Sequence, residues 1–125
     1  TIACLLPATA LFLREEAAQG RLMIDAGVPV AISTDCNPGS SPTTSMPLVM
    51  NLACISMRLT PAEALTAATY NAACAIQMED KTGSLELGKQ GDVVLWDISN
   101  YQELQYLVGV NHVKAFWKKG IKVVG

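Results

Sequence analysis

The chain has 125 residues, of which 50% are hydrophobic and 16% are charged. This composition provides enough apolar surface to order one domain, and it excludes an intrinsically disordered protein. The formal net charge is -2, with nine basic and eleven acidic residues. No row of basic side chains is present that could neutralise phosphates, so we expect no nucleic acid partner.

A strand, a helix and a second strand are predicted in the first part of the chain. Residues 2–6 are a short apolar run closed by Pro7, which is typical of a strand buried on both faces. Residues 20–26 favour a helix with Gly27 as its cap, and residues 29–33 are a second apolar run. The order strand, helix, strand predicts a right-handed unit in which the two runs are neighbouring parallel strands.

Two helices are predicted next, near residues 45–57 and 61–76. Ser45 can cap the first, which has apolar residues almost all the way round and should be deeply packed. The second begins with T-P-A-E at positions 60–63, where threonine caps, proline takes the first helical position and glutamate completes a capping box. Its predicted buried face is rich in alanine and consists of Leu65, Ala68, Ala72 and Ile76.

The last third of the chain is rich in turns and short strands. Residues 93–96 are an apolar run, a short helix is predicted near residues 101–107, and residues 113–118 are followed by a Lys-Gly turn and a hairpin partner. The sequence therefore predicts an α/β part over residues 1–80 and a β-rich part over residues 81–125.

Asp35 is the strongest candidate for chemistry, because it lies two residues beyond the second predicted strand. Side chains at the carboxyl ends of parallel strands point into the active-site mouth, where a carboxylate can bind a metal or move a proton. Asn37 adds an amide, and Gly39 and Ser40 let a backbone N–H approach a ligand closely. The alternative is that Asp35 and Asn37 only form Asx turns that close the loop, and position alone leaves both interpretations open.

Other parts of the chain give weaker signals. His112 is the only histidine, and a lone histidine is more often a satisfied structural residue than a metal ligand. A phosphate loop, a dinucleotide fingerprint, a nucleophile elbow and an H-E-x-x-H motif are absent from these residues.

The compartment is indicated by cysteine usage. Four cysteines lie far apart in the sequence, at Cys4, Cys36, Cys54 and Cys74. This spacing is typical of buried free thiols in a reducing cytoplasm and does not suit a cysteine zinc site. The apolar run over residues 46–57 is far shorter than the ~20 residues of a membrane span, so no membrane partner is expected. The chain begins at Thr1 within an apolar run, and we expect it to be part of a longer protein.

Three stretches together resemble the imidazolonepropionases of the amidohydrolase superfamily. S-T-D-C-N-P-G-S at positions 33–40 is similar to the loop after their eighth barrel strand. L-T-P-A-E-A-L at positions 59–65, with N-A-A at 71–73, resembles the helix that follows in the superfamily. Residues 83–96 resemble the segment in which the chain of the superfamily returns to a small composite β domain. The loop is the specific element, because the other two stretches mark only the superfamily.

The resemblance implies an α/β chain that forms the last strands and helices of a (β/α)8 metal-dependent hydrolase barrel, plus part of a small composite β domain. It implies that Asp35 ligates a divalent metal, zinc or iron, and helps to move the proton of the attacking water. Asn37, Gly39 and Ser40 match the substrate contacts of the family. The implied partners are a small-molecule substrate and the rest of the parent chain, and a homodimer is left open.

The implied reaction is hydrolysis of the cyclic amide of 4-imidazolone-5-propanoate to N-formimidoyl-L-glutamate in histidine degradation. The family also needs a His-x-His pair and a further histidine, which these residues do not contain, and a full barrel takes ~250 residues. We therefore assign the activity to the parent protein and expect the 125 residues alone to be inactive. The alternatives are another amidohydrolase, such as a deaminase or a dihydroorotase-like enzyme, and a non-catalytic association module that keeps the scaffold.

Overall fold

Helices and strands alternate through the chain, and strands predominate near its end. The computed structural model describes all residues from 1 to 125. In chain order, the elements are β1 Ala3–Leu5, α1 Pro7–Leu13, α2 Gly20–Asp25, β2 Val30–Ile32, α3 Met46–Met57, α4 Pro61–Ala68, α5 Tyr70–Ala75, β3 Val93–Trp96, α6 Glu103–Tyr106, β4 Val113–Lys118 and β5 Ile121–Val124. None of these helices combines the length and the apolar character that crossing a bilayer requires.

The first sheet consists of β1 and β2, which pair in parallel as predicted. Ala3 is opposite Val30, and Leu5 is opposite Ile32. All three residues of β2 are at most 2% exposed, because α3, α4 and α5 contact this strand. The N–H of Ser33 still donates to Leu5 O at 3.2 Å, so the ladder continues to the first residue of the following loop. The buried strand therefore fixes where that loop begins.

Helix α1 is not indicated by the sequence pattern. Pro7 closes the apolar run as predicted, but it does so as the first residue of a helix, where its missing N–H is not needed. The helix ends at Leu13, and the left-handed φ of 57° at Arg14 turns the chain so that Glu15 N donates back to Ala10 O at 2.9 Å. It packs against α3 and buries Pro7 and Ala8.

Helix α3 has the predicted cap, with the hydroxyl of Ser45 accepting from Leu48 N at 3.3 Å. Val49 and Ala53 are completely buried. Ile55, however, is 67% exposed, so the expectation of packing all the way round is wrong. The elements that contact α3 leave the side of the helix that bears Ile55 uncovered in this chain.

The helix predicted over residues 61–76 is divided into two helices. The break lies at Thr69, whose φ of -121° and ψ of -88° are not helical. A continuous helical repeat cannot anticipate such a break, so the predicted face is displaced, and Ile76 is 70% exposed. The buried residues of α4 and α5 are Ala64, Ala67 and Ala73, whereas Leu65 and Ala68 of the predicted face pack against the core only partly buried. Alanine does provide the close approach to β2, but at different positions.

Glu63 holds the start of α4 and joins it to α2. Thr60 Oγ1 accepts from Glu63 N at 3.3 Å, and Glu63 Oε2 accepts from Thr60 N at 2.8 Å, which confirms the capping box. Arg21 of α2 donates to both carboxylate oxygens of Glu63, at 2.8 and 3.0 Å. The hydrogen bonds from Arg21, and then those from Thr60, lower the pKa of Glu63 from 4.5 to about 2.

Strands β3, β4 and β5 form a separate antiparallel sheet, in which β4 and β5 are the predicted hairpin. Asp92, just before β3, accepts hydrogen bonds from Lys118 Nζ at 2.6 Å and from Lys119 N at 2.8 Å at the end of β4. These hydrogen bonds, that of Lys118 first, lower the pKa of Asp92 to about 2. Helix α6 connects this part to the first, because it packs against α3.

The four cysteines are free thiols, but the expectation that they are buried is wrong. Cys4 and Cys36 are exposed, and Cys54 and Cys74 are half-buried. Alternate residues of a strand face opposite sides, so Cys4 points away from the buried Leu5, and nothing in this chain covers that face. Burial, and then the nearby Glu63 carboxylate, raise the pKa of Cys54.

Two glycines with similar backbone angles provide a matched test of packing against α5. Gly83 has a φ of +93° and Gly88 one of +88°, but an added Cβ would lie 2.5 Å from Ala73 Cβ only at Gly83. We expect Gly83→Ala to lower the free energy of unfolding by about 1–3 kcal/mol more than Gly88→Ala, because only the first substitution also overpacks the core. Urea denaturation of the full-length protein measures both losses. Equal losses of unfolding free energy in the two variants would show that contact with Ala73 does not limit the size of the side chain at position 83.

Glu63 also predicts a pH-dependent part of the stability. Its folded pKa of about 2 lies below the ordinary 4.5, so the stabilisation is complete above the ordinary value and is lost as the pH falls towards 2. Glu63→Gln should lower the melting temperature at neutral pH and make its fall between about pH 5 and about pH 2 shallower. Asp25→Asn, which changes the exposed partner of Arg21, should leave that fall nearly unchanged. If the melting temperature of Glu63→Gln fell with pH as steeply as that of the parent, this prediction would be contradicted.

Candidate active site

The loop after β2 begins at the carboxyl end of the parallel strand pair. The N–H of Asp35 donates to Ser33 Oγ at 3.2 Å, and Asp35 itself has a φ of 49°. This left-handed conformation is uncommon outside glycine, and aspartate is one of the few residues that adopt it readily. The chain therefore turns sharply at Asp35, and the half-buried carboxylate lies next to α1.

Thr9 of α1 makes the side-chain contact with Asp35. Its hydroxyl donates to Asp35 Oδ2 at 3.0 Å, although the two residues are 26 positions apart. Asp35 Oδ1 receives no hydrogen bond from this chain. One carboxylate oxygen is thus held, and the other is free to meet a ligand. The sequence offers one signal for Thr9: it follows the first predicted strand closely, and the ends of parallel strands meet at one edge.

The side chain of Asn37 closes the loop. Its Oδ1 accepts from Gly39 N and Ser40 N, both at 2.9 Å. Its Nδ2 donates to Asp35 O at 2.7 Å and to Ser40 Oγ at 2.9 Å. The structure thus brings the four predicted site residues together, and the Asx-turn interpretation describes what Asn37 does within the loop. Contact of Asn37, Gly39 and Ser40 with a substrate stays a prediction.

Ser41 anchors the loop to the core, and the sequence pattern gives no sign of this role. It is completely buried, and its hydroxyl donates to Thr34 O at 2.6 Å. Its backbone N and O also pair with those of Asn37, at 3.3 and 3.1 Å. These bonds close the base of the loop and so restrict the position of its tip.

The hydrogen-bond partners of Asp35 are all neutral groups. A half-buried carboxylate without a positive partner suits a cation, and an aspartate oxygen is an ordinary ligand of zinc. No three His, Cys, Asp or Glu side chains of this chain lie close enough together to hold a metal ion. Asp35 therefore fits a metal site as one ligand, and the other ligands would have to come from residues outside this chain. His112 lies immediately before β4, with its Nε2 buried and unpaired.

Solved structures of larger proteins have the same fold. An adenosine deaminase from Xanthomonas campestris with bound zinc matches with a TM-score of 0.86 and 27% identity, over 97% of this chain and 31% of that one. Guanine deaminase from E. coli matches with a TM-score of 0.80 and 19% identity, over 98% of this chain and 33% of that one. The second likeness shows the fold alone.

Curated relatives are closer in sequence. The imidazolonepropionases of Brevibacillus brevis and Geobacillus kaustophilus are 60% and 57% identical to this chain over 123 residues. Each match covers 98% of this chain, which spans 29% of the length of those relatives. The profile of the amidohydrolase family matches residues 2–123, almost the whole chain. The chain belongs to the amidohydrolase family.

Proposed function

We propose that this chain is the C-terminal part of an imidazolonepropionase. The whole protein would hydrolyse the cyclic amide of 4-imidazolone-5-propanoate to N-formimidoyl-L-glutamate in histidine degradation. The main support is the closed loop D-C-N-P-G-S at positions 35–40, which presents a free carboxylate oxygen at the end of a buried parallel strand. Identity favours this reaction over deamination, because the imidazolonepropionase relative is 60% identical and the zinc-bound adenosine deaminase 27%.

The proposed architecture assigns residues 1–80 to the last strands and helices of a (β/α)8 barrel and residues 81–125 to the C-terminal part of a small composite β domain. It is supported by the parallel pair β1–β2 with helices against it and by the separate antiparallel sheet. A full barrel takes ~250 residues, so the other strands would come from the rest of the parent chain. Free and widely spaced cysteines support the cytoplasm as its compartment.

Asp35 would be one ligand of a divalent metal, zinc or iron, through the oxygen that has no hydrogen bond in this chain. Such an ion supplies Lewis acidity and makes water nucleophilic near neutral pH. Support for zinc comes from a protein of the same fold, the adenosine deaminase with bound zinc. The Asp35 carboxylate would also accept a proton from the attacking water, since it is the only ionisable group among the four predicted site residues.

The substrate would lie against the tip of the loop. Gly39 is exposed and has no side chain, so a small polar ring can approach the backbone there. Ser40 Oγ accepts from Asn37 Nδ2 at 2.9 Å and donates to Asn37 Oδ1 at 3.2 Å, so its hydroxyl would reach the substrate by turning away from Asn37 Oδ1. Asn37 would hold both groups in place, and its own contact with substrate would replace one of its bonds within the loop. Hydroxyl and N–H donors suit the oxygen that gains negative charge when an amide carbonyl is attacked, and here they would have to exchange Asn37 Oδ1 for that oxygen.

Substitutions in the full-length protein test this assignment of roles. Asp35→Asn keeps the shape of the side chain but removes the charge, so we expect turnover to fall by orders of magnitude. Ser40→Ala removes a neutral hydroxyl, with its proposed substrate contact and its bonds to Asn37, and should reduce kcat/KM about threefold to tenfold. Asp97→Asn, in an exposed ion pair with Lys114, is the control and should leave turnover unchanged.

The measurement is steady-state hydrolysis of 4-imidazolone-5-propanoate, with the metal content of each variant determined. Turnover of Asp35→Asn within about tenfold of the parent, with metal present, would identify Asp35 as a turn-forming residue only.

The proposed architecture also predicts how residues 1–125 behave when expressed alone. Both edges of the β1–β2 sheet are unpaired, and Leu11, Phe12 and Leu13 at the end of α1 are 46% to 62% exposed. We expect this piece to lack hydrolytic activity and to associate, because unpaired strand edges and apolar patches invite contact between copies. Sedimentation velocity should show species larger than a monomer, with the full-length protein as the control. A monomer that melts cooperatively would contradict the proposed barrel architecture.

A further inference from the structure

The Asp35 side chain is oriented by a residue from a different element. The hydroxyl of Thr9 in α1 donates to Asp35 Oδ2 at 3.0 Å and is the only side-chain group of this chain that reaches the carboxylate. The main chain of Asp35 is held independently, since its N–H donates to Ser33 Oγ and its O accepts from Asn37 Nδ2. The backbone bonds set where the residue lies, whereas the Thr9 bond sets how the carboxylate is turned.

We infer that Thr9 is a positioning residue for the proposed metal ligand, Asp35. The inference rests on the proposed function and adds a residue that the loop itself does not contain. The terminal torsion of an aspartate side chain is broad and nearly two-fold, so an unrestrained carboxylate presents either oxygen. A fixed donor at Oδ2 removes this freedom and leaves Oδ1 as the oxygen that faces a metal.

The donor is itself held in a fixed place. Thr9 follows Pro7 and Ala8, both of which are buried where α1 packs against α3. Threonine is β-branched, which restricts the first side-chain torsion in a helix and so limits the directions that the hydroxyl can take. α1 follows β1 directly, and the loop follows β2, so the Thr9–Asp35 bond joins the ends of the two parallel strands.

The effect should appear in metal affinity first. A hydrogen-bond partner of a metal ligand fixes its orientation, and loss of such a partner typically weakens metal binding about 10- to 100-fold. Asp35 keeps its charge and its backbone bonds when the Thr9 hydroxyl is removed. The loss should therefore be partial, unlike the loss of the carboxylate itself in Asp35→Asn.

The test compares Thr9→Val with Thr9→Ser in the full-length protein. Valine keeps the branched shape without the hydroxyl, whereas serine keeps the hydroxyl. We expect Thr9→Val to raise the zinc dissociation constant, measured against a chromophoric chelator, about 10- to 100-fold. With zinc saturating, the kcat of Thr9→Val should fall while its KM changes less than about threefold. Thr9→Ser should keep a zinc affinity within about threefold of the parent. Thr66→Val is the matched control, because Thr66 is exposed and its hydroxyl bonds only to Ala62 O within α4.

A zinc dissociation constant for Thr9→Val within about threefold of the parent would overturn the inference, as would an equal loss in Thr9→Ser. Thr9→Ala provides the same comparison if the valine variant does not fold. Asp35→Asn separates the two proposals. If it leaves zinc binding and hydrolysis near those of the parent, the proposed function fails. If it abolishes both while Thr9→Val changes neither, only the role of Thr9 fails.

Discussion

The burial of β2 is the constraint on which the rest of this structure depends. Its three residues, Val30–Ile32, pair with β1 on one side and are covered by α3, α4 and α5. Burial on both faces favours apolar side chains at every position of this strand. Asn71 Nδ2 donates to Val30 O at 2.8 Å, so one carbonyl on the edge of β2 that has no strand partner is bonded to α5. Everything at the carboxyl end of β2, including the candidate site, takes its position from this strand.

The helices around β2 are held by short-range bonds at their ends and by one long-range ion pair. Ser45 caps α3, Thr60 and Glu63 cap α4, and Arg21 joins α2 to Glu63 across 42 positions. Glu63 thereby serves two elements at once, which explains why its pKa is depressed so far although the residue is only partly buried. Without Arg21 the carboxylate would keep only its bonds from Thr60.

The candidate site combines a stiff loop with a contact from outside it. Asn37 and Ser41 hold the loop through bonds that are almost entirely local, whereas the carboxylate of Asp35 is turned by Thr9. A substrate-binding loop gains from such rigidity, because positioning groups in advance reduces the entropy lost on binding. The Asx interpretation and the functional one are therefore compatible: the bonds that close the loop are those that would hold its ligand-facing atoms in place.

The sequence by itself determined the features that depend on neighbours along the chain. The parallel strands at residues 2–6 and 29–33, the caps at Ser45 and Thr60, and the loop around Asp35 all have local signatures in period, turn residues or capping residues. Only the tertiary structure decided the break at Thr69, the exposure of Ile76 and Cys4, and the bond from Thr9 to Asp35. These depend on which surfaces meet in space, and contacts between residues far apart in the chain leave no periodic trace in either segment.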